Sequence, residues 1–215
     1  MKKIGYFLLV IVFVNTAIGA QTTHEEYFTA VAQRDTQTLK QLFSHGEDIN
    51  AIRDVTGNTL LHQAINIADQ ELVLLLLRTG ADVHAKNALG QTPLHCASHK
   101  GLNNIIIQLM RHGADINAQD CEQTTPLHYA VRMGLESTAI VLLRCGADYN
   151  FRNKDGVTPA HLAVFYHQTK CLEILMNAGA DVTIPDNGGF TPLDVATYFR
   201  FDDIITMLNK ITPAI

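Results

Sequence analysis

Ten histidines and four cysteines in a chain of 215 residues raise metal binding first. His95 and His99 stand four apart, which puts two imidazoles on one helical face, a spacing that zinc sites use. Cys96, Cys121, Cys145 and Cys171 lie 24 to 26 residues apart, without the close pairing that a thiolate zinc site requires. No cysteine or carboxylate completes a ligand set around His95 and His99. Carboxylates that could act as acid and base recur at Asp82, Asp115, Asp148 and Asp181. No glycine-rich phosphate loop follows a strand pattern, and no Gly-x-Ser-x-Gly elbow occurs. The sequence thus points to no catalytic residue, no metal site and no cofactor.

These residues are better explained by where they recur. Thr92-Pro93-Leu94-His95-Cys96-Ala97 returns as Thr125-Pro126-Leu127-His128-Tyr129-Ala130 and as Thr158-Pro159-Ala160-His161-Leu162-Ala163. Looser copies start at Thr59 and Thr191, so the five threonines are each 33 residues apart. A Gly-Ala-Asp word keeps the same period at Gly80, Gly113, Gly146 and Gly179. Thr before Pro is a helix start, since the hydroxyl caps free N–H groups and Pro suits the first helical position. The spacing predicts a short first helix over Pro93–Lys100, a turn at Gly101, and a second helix carrying Ile105, Ile106, Leu109 and Met110 on one stripe. Gly113 ends that helix in the left-handed conformation. Polar residues 114–122 form an extended hairpin-like loop to the next threonine. A period this long is the mark of a stacked repeat architecture, because helices of 8 to 10 residues are below the ~12–15 needed for even marginal stability alone.

In word, order and period, residues 24–213 resemble the ankyrin repeat. The resemblance implies an all-α solenoid of helix-turn-helix units with hairpin loops. There are about six repeats, at 24–52 (degenerate), 56–85, 89–118, 122–151, 155–184 and a cap at 188–213. It also implies that Thr92, His95, Thr125, His128, Thr158 and His161 are a structural word. In such proteins the imidazole hydrogen-bonds backbone and the threonine hydroxyl and ties one repeat to the next. The first repeat lacks the word and carries an extra residue near Ile52 and Arg53, which should distort its hairpin. Leu60 replaces Pro, Gln123 replaces a turn glycine, and Asp194 replaces His.

Within the same resemblance, hairpin tips and one face of each first helix line a concave groove that binds proteins. The residues before each inter-helix turn run from Asn66-Ile67 through His99-Lys100 and Arg132-Met133 to Phe165-Tyr166 and Tyr198-Phe199. Their character passes from polar to basic to aromatic, with Phe151 and Phe190 adding to the aromatic end. Two arrangements remain open for that end: an exposed interface, or a seal in which Phe165 packs on Tyr198 and Phe199 closes the last repeat.

The first 20 residues have a different composition. Lys2 and Lys3 precede an apolar run, Ile4 to Val14, and small residues at Ala17, Gly19 and Ala20. This is the order of a secretory signal peptide over 1–20, cut after Gly19 or Ala20 to leave a repeat domain over 21–215. The run is short for a ~30 Å hydrocarbon core. Loss of the two lysines leaves 14 basic against 21 acidic residues, a charge of −7, and no dense cationic run. Nucleic acid is therefore not an expected partner, nor is a membrane once the leader is removed. The sequence predicts a non-enzymatic, monomeric binding module. It would be exported to the periplasm or the medium, or into a host cell, and hold a protein partner there. The alternative role is an envelope scaffold or a stabiliser of an exported enzyme.

Overall fold

The computed structural model describes residues 22–44, 46 and 48–210; the signal peptide expected over 1–20 lies outside them. Twelve α-helices and no strand occur among these residues, apart from an isolated antiparallel bridge between Arg53 and Thr59. None of the helices is long and apolar enough to cross a membrane. The chain divides into two compact units, one ending at Ala81 and the other beginning at Asp82.

The first unit holds α1 (Thr22–Ala32), α2 (Thr36–Phe43), α3 (Leu60–Asn66) and α4 (Gln70–Arg78). Asp35 and Asp69 cap α2 and α4 through their carboxylates. Tyr27 stacks on Phe43 at 5.7 Å and its hydroxyl donates to the Leu42 carbonyl, which joins α1 to α2 without the threonine word. The extra residue of the first hairpin is absorbed before its turn. Ala51 is exposed and Ile52 is buried, where the next repeat buries Ala85.

The second unit holds four helix pairs: α5 (Pro93–Lys100) with α6 (Asn103–Arg111), α7 (Pro126–Arg132) with α8 (Glu136–Arg144), α9 (Pro159–Phe165) with α10 (Thr169–Asn177), and α11 (Pro192–Phe199) with α12 (Asp202–Asn209). First helices pack on first helices in the order α5, α7, α9, α11, and α6, α8 and α10 likewise stack in sequence. Ala97, Ala130, Ala163 and Ala196 sit fully buried at the equivalent place in each first helix, where a larger side chain would force the neighbours apart. The pairs bury one apolar stripe each, including Ile106 and Leu109 of α6 and Leu172 and Leu175 of α10.

The word Thr-Pro-x-His is a capping box in three dimensions. The N–H of Thr125 donates to His128 Nδ1 at 3.2 Å, and the Thr125 hydroxyl lies 2.8 Å from the same nitrogen. Because Nδ1 accepts from an N–H, the proton of the neutral ring must sit on Nε2. There it faces the Val157 carbonyl of the next hairpin at 3.1 Å. His95 reaches Thr124 in the same way at 3.0 Å, and His161 reaches Phe190 at 2.9 Å. The hairpins match this regularity. Asp82, Asp115, Asp148 and Asp181 each accept the N–H two residues on, at 2.8 to 3.0 Å, so these carboxylates are turn-formers.

Two hairpin positions show what the turn demands. Gly90 has φ +74, and a Cβ there would fall 2.7 Å from the Cys121 backbone nitrogen, so neighbouring hairpins meet at van der Waals distance. Gln123 occupies the same turn position in the following repeat and is forced to φ +57, a left-handed strain of about 1 kcal/mol for a residue with a Cβ.

Candidate binding surface

The last residues of α5, α7, α9 and α11 recur on one edge of the second unit, because helices of equal register are stacked side by side. Their chemistry divides into two regions.

The central region is organised by Tyr129. Its hydroxyl donates to Asp120 Oδ2 at 2.7 Å and accepts from Gln91 Nε2 at 2.8 Å. Burial first, and then the hydrogen bond to Asp120, push its pKa up to about 12. The His99 ring stands edge-on to Tyr129 at 5.9 Å, and the Arg132 guanidinium lies 4.7 Å above the ring centroid, a cation–π contact. His99 stays exposed, but partial desolvation lowers its pKa, and the charges of Arg132 and Lys100 lower it further. His99 is therefore neutral at pH 7, and the basic character read from the sequence belongs to Lys100 and Arg132. Met133 follows, exposed. Tyr129 escaped the sequence reading because it sits inside the repeat word, where Cys96, Leu162 and Val195 are its equivalents and only geometry separates structural from surface use.

At the aromatic end the side chains are exposed, and all but Phe190 are in ring contact with a neighbour. Tyr198 is 82% exposed, Phe190 58%, Phe165 53%, Tyr166 46% and Phe199 41%. Phe165 meets Tyr166 edge-on at 5.1 Å within its own repeat and packs perpendicular to Phe199 at 5.5 Å in the next, so its partner across the repeats is Phe199 and not Tyr198. Tyr198 turns its own ring perpendicular to Phe199 at 5.1 Å. Phe201, which no sequence pattern singled out, stacks beneath Phe199 at 5.5 Å and touches the His167 ring at 4.3 Å. Phe199 is thus the keystone between Phe165, Tyr198 and Phe201, and Tyr198 is the outermost ring. Phe151 is half-buried and is not among these ring contacts. Two adjoining hollows of about 330 and 220 Å³ share Phe165, Asp186 and Val195 in their walls.

The groups first considered for chemistry are otherwise committed. Both ring nitrogens of His95 are hydrogen-bonded, leaving no lone pair for a metal beside His99. Among the described residues no three His, Cys, Asp or Glu side chains gather at ligating distance. The cysteines are unpaired: Cys96 on α5, Cys121 exposed on a hairpin, Cys145 at the end of α8 and Cys171 buried on α10. Burial pushes the Cys96 and Cys171 thiols up to about 11, away from the reactive thiolate.

No curated protein matches the chain. A family model for ankyrin repeats in three copies matches residues 61–153 and again 134–213. Together these matches take in every Thr-Pro-x-His box of the second unit and both regions of its exposed edge. With the capping boxes, the stacked helix pairs and the 33-residue period, they establish that the chain belongs to the ankyrin repeat family.

Proposed function

We propose that this chain, built of ankyrin repeats and so a protein–protein interaction module, is exported, works without catalysis as a monomer, and holds a protein partner across the exposed edge of its second unit. Phe165, Tyr166, Tyr198, Phe199 and Phe190 would supply the aromatic anchors, and His99, Lys100, Arg132 and Met133 the central contacts. The observation that carries this reading is the aromatic end itself: four large rings in mutual contact, with Phe190 lining the same hollow, each at least 41% exposed. Apolar surface gathered in this way is poor for solubility and typical of interfaces. Export rests on the order of residues 1–20, and intact mass of the secreted form is expected to show a start at Ala20 or Gln21.

The partner is to be recovered by affinity purification on the mature chain, and the surface tested by two neighbouring substitutions. Tyr198→Ala removes an anchor that is almost wholly solvent-exposed in the free protein, so the thermal midpoint should hold. Affinity should fall at least about thirtyfold, the equivalent of ~2 kcal/mol for an anchor residue. Phe199→Ala removes the keystone and should lower both. Unchanged affinity for Tyr198→Ala, with a lowered midpoint for Phe199→Ala, would assign the aromatics to sealing the repeat stack and move the interface to Lys100 and Arg132.

A further inference from the structure

The larger hollow at the aromatic end is walled by rings and by charge. Phe165 and Tyr198 both stand perpendicular to Phe199, so the three rings make a corner, and Phe190 closes it from the hairpin. Asp186, Asp194 and Val195 complete the lining. Each carboxylate uses one oxygen for the backbone. Asp186 Oδ1 accepts from Gly188 and Phe190, and Asp194 Oδ2 accepts from the Thr191 N–H and hydroxyl. The second oxygens, Asp186 Oδ2 and Asp194 Oδ1, make no such bond. Asp194 also stands where every other repeat word has histidine, so a negative charge replaces a neutral ring at this one place. Arg152, whose charge is felt at His161, is directed to the Gly156 carbonyl and to Asn187 Oδ1.

Taking the aromatic end as the binding surface proposed above, we infer that this hollow receives a cationic side chain, lysine or arginine, from an extended segment of the partner. Ring faces are electronegative and attract cations, most strongly when water is excluded. A neutral apolar side chain seated here would cover two carboxylates and strip their water without replacing it, which opposes binding. A cation satisfies the rings and the free carboxylate oxygens together. At about 330 Å³ the space is at the small end of ligand pockets, in keeping with one long side chain and its adjoining backbone.

The test uses the mature chain and a set of synthetic peptides with a central Lys or Arg among varied apolar neighbours. Parallel sets carry norleucine, citrulline or Glu at that position, and binding is read by fluorescence anisotropy. The cationic peptides should bind about tenfold more tightly than their neutral isosteres, a preference that weakens with salt. Asp186→Asn with Asp194→Asn should erase the preference. Asn87 and Asn153 already form the same turn as Asp186, and an asparagine oxygen can still accept from Thr191, so the midpoint of this double variant should change little. Tyr198→Ala should abolish binding. Neutral isosteres that bind as well as Lys and Arg, and respond to Tyr198→Ala, overturn the cationic inference and leave the aromatic interface standing. A peptide set with no member sensitive to Tyr198→Ala overturns both.

Discussion

Truncating His128 to alanine is expected to cost the second unit about 3–5 kcal/mol, a large part of the ~5–15 kcal/mol typical of a folded domain. The ring is fully buried and acts at both ends. Nδ1 accepts the Thr125 N–H that would otherwise be an orphan at the start of α7, and Nε2 donates to Val157 in the following hairpin. Alanine leaves both of these buried groups without their partner and opens a cavity between repeats. The two ends can be separated. In the last word Asp194 does the capping alone, holding the Thr191 N–H at 2.8 Å. His128→Asn should therefore recover about 1 kcal/mol through the cap while the Val157 carbonyl stays unpaired. Denaturant unfolding of the three proteins reads this order directly. Equal stabilities for the asparagine and alanine variants would deny the cap its share, and a loss under about 1 kcal/mol for alanine would deny the ring its role as a tie between repeats.

Acid should act on the same residues. Burial, the dominant cause, holds the His128 pKa down at about 4 and lowers those of His95 and His161, although carbonyl partners and nearby carboxylates work the other way. Protonation would also place a hydrogen on Nδ1 facing the Thr125 N–H. The folded state therefore refuses a proton that the unfolded chain accepts near pH 6.5. Stability is fully present above 6.5 and is lost as pH falls from there toward 4, by about 3 kcal/mol for His128 alone. Carboxylates held down by hydrogen bonds do not blur this window. Those of Asp35, Asp54, Asp181, Asp194 and Asp203 are lowered from 3.8 by hydrogen bonds, so what they contribute is lost only at lower pH. Urea midpoints measured from pH 7 to 4.5 should fall steadily in the native protein and less steeply in His128→Asn. A profile flat across that range would falsify the neutral-histidine account.

How much of this could be read from the chain differs with the kind of interaction. The repeat, its helices and the threonine–histidine word were legible because they are periodic. A 33-residue recurrence of Thr, His, Ala and Gly reports local demands — a cap, a close helix contact, a left-handed turn — that each repeat meets with the same residue. The strain at Gln123 was visible on the same grounds, since it departs from a glycine position. The exposed edge was legible only as a set of positions. Which ring packs on which depends on how far α9 and α11 are rotated against one another, and that is set by the whole apolar interface between them. Hence Phe165 meets Phe199 instead of Tyr198, and Phe201 joins from beyond the turn. Charge state, too, was decided by the tertiary structure. His99 is exposed, yet partial desolvation and the charges of Arg132 and Lys100 hold its pKa below that of a free imidazole. Asp186 and Asp194 line one hollow because a hairpin and a helix start fold against the same aromatic corner. Sequence by itself determined the units and their spacing, because these rest on contacts within a few residues. The hollow and its charge came from contacts across repeats, where small rotations between packed helices choose the neighbours.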